Sequence, residues 1–223
     1  RVMLSHRDAD HTGGAPAVLR AHLNADLWSS VEVGHPLANI RPVHACIAGQ
    51  KWEWDGVQFE MLHPLLSDYN KLAGSNGLSC VLRVDASQMA KVKMAHDRNL
   101  GSALLVGDIE APQELALLQS LALQPVGVLL VPHHGSQTSS TSGFIEALMP
   151  QWAVVQAGYR NRYGHPAPRV VQRYESLGVP LSISSECGAA HWQSNKPEQL
   201  HCEREVRRRY WHTPRRVEPR GAD

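Results

Sequence analysis

The sequence predicts one α/β domain whose sheets are covered by helices. Three observations carry this expectation. Strand-like and helix-like runs alternate through most of the 223 residues, the pattern of helix-covered sheets. Four strand-like runs each end in polar residues able to meet a metal or a phosphate, as strand ends do when they form one crevice. No repeat and no low-complexity linker interrupts the chain before residue 213.

The elements follow in order. Residues 1 to 5 suit a buried strand. Residues 14 to 23 carry Ala15, Val18, Leu19 and Leu23 at helical spacing. "DLWSSV" reads as a short strand. "HACIAGQKWEWDGVQFEML" reads as two strands around a turn at Asp55-Gly56, anchored by Trp52, Trp54, Val57, Phe59 and Met61. Residues 64 to 77 form a polar loop. "LSCVLRVDA" and "SALLVGD" are strands, separated by a polar segment with Lys91, Lys93, Asp97 and Asn99. "APQELALLQSLAL" is a helix with Pro112 in its first turn. "GVLLVP" is a strand, and "SGFIEALMP" a helix capped by Ser142. "WAVVQAG" is a strand, "PRVVQRYESLG" a helix stopped at Gly178, and "PLSISSECGAAHW" one or two further strands.

Composition excludes several classes. The formal net charge is +1, so the chain as a whole makes no electrostatic case for a polyanionic partner. The exception is the arginine-rich end, "CEREVRRRYWHTPRRVEPR", which reads either as a solvated tail or as a contact for nucleic acid or anionic lipid. The four cysteines, Cys46, Cys80, Cys187 and Cys202, form no CxxC pair, which argues against a zinc ribbon. Cys187 and Cys202 are close enough in sequence to pair, and the even count permits disulfides without requiring them. No apolar run approaches the ~18 residues of a membrane-spanning helix, and no signal peptide is visible. Arg1 in place of Met suggests a piece of a longer protein.

The chemistry concentrates in "SHRDADHTGG". His6, Asp8, Asp10 and His11 crowd into six residues behind a strand. In an extended turn His6 and Asp8 converge on one point, while Asp10 and His11, opening a helix, face a second. Gly13 and Gly14 let the chain pass tightly beneath. Imidazoles and carboxylates at this density suit divalent metals, and an open position left for water marks a catalytic rather than a structural site. The bland alternative is a polar helix start capped by Asp10. Three further strand ends favour the metal reading: Asp108 after Gly107, His133-His134 before a hydroxyl-rich loop, and Asn161, Tyr163 and His165 in "YRNRYGHP".

The pattern His6-x-Asp8-x-Asp10-His11-x-Gly-Gly resembles the metal-binding signature of the metallo-β-lactamase superfamily. Together with "GDIE", "VPHHGSQTSS" and "NRYGHP" it resembles one branch, the C-terminal β-lactamase-like domain of the ComEC family of DNA-uptake (competence) proteins. The resemblance covers residues 1 to 212, leaving 213 to 223 as a basic tail. It implies an αββα sandwich with a two-metal site at one edge. By resemblance, His6 and Asp8 serve one metal, Asp10 and His11 the other, and Asp108 bridges. His134, or else His133, completes the second shell. The superfamily's middle histidine has no clear counterpart; His63 is a candidate that we expect to be structural. Branch members begin with two strands bearing a "DVGQGD"-like motif, absent here, so the sandwich is expected to be N-terminally truncated.

The resemblance implies a membrane-embedded channel region in the same full-length protein. It also implies a position on the extracytoplasmic face of the bacterial inner membrane. The expected activity is metal-dependent cleavage of DNA, single-stranded, by a nuclease that degrades the strand not transported during natural transformation. Two divalent ions ~3.5–4 Å apart activate water and clamp a phosphoryl oxygen. Asp8, where the superfamily usually has His, makes the site harder and moves the expected metal toward manganese or zinc. Asp10 orients the attacking oxygen and His165 serves the leaving oxygen, so these two are the candidate catalytic residues. Ser136, Thr138 and Asn161 are candidate phosphate contacts, alongside Ser139 and Ser140. The alternatives are a phosphorylcholine-esterase-like hydrolase of another phosphoester, and a non-catalytic module that guides DNA.

Overall fold

The computed structural model describes residues 1–71, 74–86, 100–120 and 123–211. The segment with Lys91, Lys93, Asp97 and Asn99 and the tail from 213 lie outside them. Strands β1 (Val2–Leu4), β2 (Leu27–Ser29) and β3 (Val43–Ala45) form a parallel three-stranded sheet in that order. Seven strands form a second sheet in consecutive order: β4 (Lys51–Trp54), β5 (Val57–His63), β6 (Val81–Asp85), β7 (Ser102–Leu105), β8 (Val128–Leu130), β9 (Trp152–Val155) and β10 (Leu181–Ile183). It is antiparallel from β4 to β7 and parallel from β7 to β10. A small antiparallel ribbon, β11 (Ala190–Trp192) with β12 (Leu200–Cys202), completes the strands. The helices are α1 (Ala9–Thr12), α2 (Ala15–Ala21), α3 (Ala111–Gln119), α4 (Ser142–Leu148), α5 (Pro168–Ser176), α6 (Ser184–Cys187) and α7 (Glu203–Val206).

The antiparallel half needs only short links. Asp55 (φ 49°) and Gly56 (φ 79°) both take left-handed backbone between β4 and β5, the geometry of a two-residue hairpin turn. The parallel half needs crossovers, and α3 with α4 and then α5 supply the returns between β7, β8, β9 and β10.

Three apolar clusters locate the layers. Ala15 and Leu19 of α2 pack on Leu27, Val2, Leu4 and Val43, so α2 covers the outer face of the small sheet. Met3, pointing the other way along β1, joins Met61, Leu82, Trp52, Phe59 and Val84 between the two sheets. Trp28 of β2 and Trp52 of β4 also meet across that gap, ring centroids 5.9 Å apart. On the far face, Leu117 of α3, Phe144, Ile145 and Leu148 of α4, and Val170 and Tyr174 of α5 pack on Leu104, Leu129, Ala153 and Val155. Helix, sheet, sheet, helices: this is the expected αββα sandwich.

Several sequence expectations need correction. Of the helix expected at 14–23, Ala15 and Leu19 are buried, but Val18 is 43% exposed because only one stripe of this short helix meets the sheet, and Leu23, 70% exposed, lies past the helix end at Ala21. The helix expected over 111–123 is described only as far as Gln119, and residues 121–122 are outside the described set. Thr141, not Ser142, is the N-cap of α4. Residues 184–187, expected as strand, turn into α6, which Gly188 ends at φ 75°. Both β3 and β12 lack a matching strand expectation; each centres on an exposed histidine, His44 and His201, instead of an apolar run. Two disulfides join Cys46 to Cys80 and Cys187 to Cys202.

Candidate metal centre

The first group of donors hangs from the end of β1. The Ser5 carbonyl accepts hydrogen bonds from the Cys80 amide (2.8 Å) and the Ser30 hydroxyl (2.8 Å), which fixes where the strand stops. Asp8 then caps α1 in extended backbone (φ −64°, ψ 149°), its carbonyl taking the amides of His11 and Thr12. His6 and Asp8 therefore leave the chain before the helix, and Asp10 and His11 from its first turns. Gly13 is required here, since a Cβ would lie 2.7 Å from the Ala9 carbonyl oxygen.

Two other strand ends meet this turn. After β7, Gly107 (φ 55°) passes so close to β1 that a Cβ would sit 2.6 Å from that of Ser5. Asp108 follows, its amide donating to the Ser79 hydroxyl at 3.1 Å. After β8, His133 (φ 48°) and His134 (φ 54°) both adopt left-handed backbone. Such residues cost about 1–3 kcal/mol each and persist only when the surroundings hold them. Here the His133 amide bonds the Gly107 carbonyl at 3.1 Å, and His134 Nδ1 bonds the Gln156 carbonyl at 2.7 Å.

The side chains converge on the Asp108 carboxylate. Its Oδ2 lies 3.3 Å from His11 Nε2, 3.4 Å from His134 Nε2, and 3.9 Å from both His6 Nε2 and His133 Nε2. Asp10 Oδ2 is 3.2 Å from His134 Nε2 and 3.5 Å from His11 Nε2; Asp8 Oδ2 is 3.5 Å from His6 Nε2. One ligand atom each from Asp10, His11, Asp108 and His134 lie within 4.8 Å of one another. His133 is outside that group: its Nδ1 faces Glu110 Oε1 at 3.2 Å.

Does this donor set fit a metal? The Nε2 atoms of His6, His11 and His134 are buried and have no hydrogen-bond partner. Three orphaned nitrogens aimed at one carboxylate are costly unless something binds them. Their Nδ1 atoms, in contrast, are engaged: Ser5 Oγ contacts His6 and His11 (3.0 and 2.9 Å), and Ser79 Oγ contacts His6 at 3.2 Å. This is how a ligating imidazole is held, one nitrogen fixed from behind and the other presented. The set fits divalent metal.

Charge distribution agrees. Burial pushes the Asp108 carboxyl up, but the neighbouring His11 and His134 imidazoles, 3.3 and 3.4 Å away, outweigh it and hold the group well below the usual carboxylate range. The neighbouring Asp108 carboxylate raises His134, against burial, to about 9. A metal would have to displace that proton. Burial lowers His6, assisted by repulsion from His11.

The remaining expected residues divide. His165 does border the cluster, its ring 5.9 Å from that of His133 and 6.5 Å from that of His134, with Nδ1 buried and unpartnered. Burial holds it below its ordinary value, so it is uncharged near neutrality. Ser136 and Thr138 contact one another (3.0 Å), and Thr138 Oγ1 donates to Glu110 Oε1 at 2.7 Å, behind His133. Asn161 is engaged within its own loop: its amide nitrogen donates to the His165 and Gly158 carbonyls (2.6 and 3.0 Å) and its oxygen accepts the His165 amide (2.9 Å). It closes its own loop. Ser139 and Ser140 are buried, Ser139 bonding the Pro132 carbonyl. His63, as expected, is structural: buried, with Nε2 on the Gly77 carbonyl at 2.9 Å and Nδ1 3.8 Å from Asp68.

Sequence reasoning missed the supports. Ser5 and Ser79 hold the histidines from behind. Buried Glu114 of α3 accepts the amides of Ser140 and Thr141, and Arg173 of α5 donates to the Ser139 and Ser140 carbonyls. A charged residue at an apolar position of α3 was the available signal for Glu114; nothing local marks the serines. A cavity of about 510 Å³ opens beside His6, lined by Arg7, Ser30, Glu32, Tyr69 and Ser75 among others.

The layered sandwich and the donor cluster at its sheet edge define a domain of the metallo-β-lactamase fold. No protein-family model matches the chain. It is 37% identical over 191 residues to competence protein ComA of Neisseria gonorrhoeae, covering 85% of this chain and 24% of that protein. It is 32% identical over 190 residues to recombination protein 2 of Haemophilus influenzae (83% and 21%) and 29% identical over 202 residues to ComE operon protein 3 of Bacillus subtilis (86% and 24%). The chain thus spans a fifth to a quarter of the length of these relatives, and its homologues are ComA/ComEC competence proteins. Among solved structures it is similar to Igni18, a metallo hydrolase from Ignicoccus hospitalis (TM-score 0.49, 16% identity, 82% of this chain and 74% of that one). It is also similar to YhfI, a metallo-β-lactamase fold protein from Bacillus subtilis (TM-score 0.44, 11% identity, 82% and 73%).

Proposed function

We propose that this chain is the metal-dependent nuclease domain of a longer DNA-uptake protein, cleaving single-stranded DNA and so degrading the strand that is not transported. The carrying observation is the cluster itself: three buried, unpartnered Nε2 atoms around one carboxylate held ionised. His11, His134, Asp10 and Asp108 would hold one divalent ion. His6 and Asp8, with Asp108 shared, would hold a second. Manganese or zinc suits this mixture of imidazole and carboxylate. Bound there, such ions would supply an activated water and charge neutralisation for the phosphoryl oxygens.

The chain's own residues contribute orientation and proton traffic. Asp10, with its side chain 63% exposed at the mouth, is positioned to accept a hydrogen bond from the attacking oxygen. His165, neutral near pH 7, offers an N–H to the leaving oxygen rather than a resident positive charge. Thr138, through Glu110, keeps His133 facing Asp108. Ser136 lines that same loop as a further phosphate contact.

The relatives' names, competence and recombination, favour DNA as the phosphodiester, and with it a membrane channel region elsewhere in the full-length protein. No described helix is long and apolar enough to cross a membrane. The two disulfides support the extracytoplasmic face of the bacterial inner membrane, where the oxidising environment lets them persist. The test is direct. The chain is incubated with a single-stranded oligonucleotide and Mn²⁺ or Zn²⁺, beside Asp108→Ala and beside a choline phosphodiester. Metal-dependent cleavage of DNA by the unaltered chain alone is expected. Cleavage of the choline ester but not DNA would replace this reading with a phosphorylcholine-esterase-like one. No cleavage of either substrate would leave a DNA-guiding module.

A further inference from the structure

The loop from Gly158 to Pro166 carries the sequence "GYRNRYGHP" and borders the metal centre through His165. Its composition is unusual for a surface loop. Tyr159 and Tyr163 are 59% and 66% exposed, although an aromatic ring is normally sheltered. Arg160 and Arg162 are exposed as well. Each arginine lies over its neighbouring tyrosine, Arg160 5.2 Å from the Tyr159 ring centre and Arg162 4.7 Å from that of Tyr163. Neither guanidinium pairs with a carboxylate among the described residues.

The loop is built rather than slack. Asn161 ties both ends together through three hydrogen bonds to Gly158 and His165, and Arg160 is held at φ 51°. Tyr163 in turn stacks on His165, ring centroids 5.8 Å apart and 16° from parallel. A continuous row of flat groups therefore runs from the donor cluster outward: His134, His165, Tyr163, with the arginines beside it.

We propose that this loop is a binding platform for single-stranded DNA, on which Tyr159 and Tyr163 stack unpaired bases while Arg160 and Arg162 hold the flanking phosphates. Exposed rings with guanidinium groups lying over them offer flat, cationic surfaces, which suit a strand whose bases are free to stack and whose backbone is anionic. A duplex keeps its base faces covered and offers such rings nothing. The inference rests on the reading of the chain as a DNA-cleaving domain, and it names what leads the strand to the metals.

Binding and cleavage separate the two claims. Affinity for a fluorescein-labelled twelve-residue oligothymidine is measured by anisotropy in EDTA, where no metal-dependent cutting occurs. Tyr159→Ser with Tyr163→Ser should weaken binding at least tenfold, and Phe at both positions should restore it. An abasic oligonucleotide of equal length should show no loss with the serine pair. Arg160→Ser with Arg162→Ser should lower the slope of log affinity against log salt by about 1.4, ~0.7 per phosphate contact on a single strand. Unchanged affinity in both double variants, or no binding by the unaltered chain, would overturn the platform whatever the cleavage assay gives. Binding that falls as expected, in a chain that never cleaves DNA with metal, would overturn the nuclease reading and leave the platform standing.

Discussion

Two loops face each other across the candidate metal centre, and they reach it by different means. The turn from Ser5 to Thr12 delivers its donors with ordinary backbone: a strand end, an extended cap and one turn of helix. The loop from Pro132 to Ser140 delivers His133 and His134 through consecutive left-handed residues, and Ser140 (φ 59°) is a third. The first loop is held mainly by backbone bonds to its own helix and to Cys80. The second is held from outside, by Glu114 of α3 and Arg173 of α5. Donors can be placed by regular structure or by strain that the neighbouring helices contain, and this site uses one of each.

The comparison can be broken most severely where the loops share a partner. Asp108→Ala removes the carboxylate both sets of histidines face, and we expect metal affinity to fall by more than about 100-fold, beyond the range seen for outer-shell partners. Metal content after dialysis measures this, and retention of two ions would refute the shared-carboxylate geometry. The next largest effect should fall on one loop only. Glu114→Ala strips the acceptor from the Ser140 and Thr141 amides, a loss of about 2–3 kcal/mol for buried bonds to a charged group. Urea denaturation reads that loss, and no comparable charged brace holds the Ser5–Thr12 turn among the described residues. Gly135→Ala should cost about 1–3 kcal/mol, because φ is 81° and the new Cβ would meet Pro166 at 2.6 Å. Gly14→Ala, at the start of α2 just past the regular loop, meets nothing within 4 Å at φ −82°. It should be neutral or stabilise by about 0.4–1 kcal/mol. Equal losses at the two glycines would dissolve the contrast.

The same contrast explains what the sequence disclosed. His6, Asp8, Asp10 and His11 were legible because regular structure places side chains by spacing, and the spacing is printed in the chain. Asp108 and the histidine pair were legible as strand ends. That His134 joins the four-donor group while His133 leans on Glu110 was not, since the choice is made by two backbone angles and by a residue of another element. That Asn161 closes its own loop was not legible either, since an amide beside a histidine serves a substrate and a loop closure equally well on paper. The layers followed from alternation, but β3 and β12 centre on exposed histidines, and α6 follows β10 without a break. Ser5 and Ser79 carry no local signal at all; their importance comes from facing His6 from just past β1 and just before β6, far apart in the chain.

The tryptophans described in the sandwich have an optical consequence. Trp28 and Trp52 touch across the gap between the sheets, while Trp152 and Trp192 both donate to the Pro197 carbonyl, 3.1 and 3.2 Å away, by the ribbon. No tryptophan stands among the metal-facing residues. Intrinsic emission is therefore a gauge of how tightly the two sheets are pressed together and whether the ribbon is seated. A change on adding metal would mean that filling the sheet edge is felt through the sandwich, and a silent spectrum would mean that the edge responds alone.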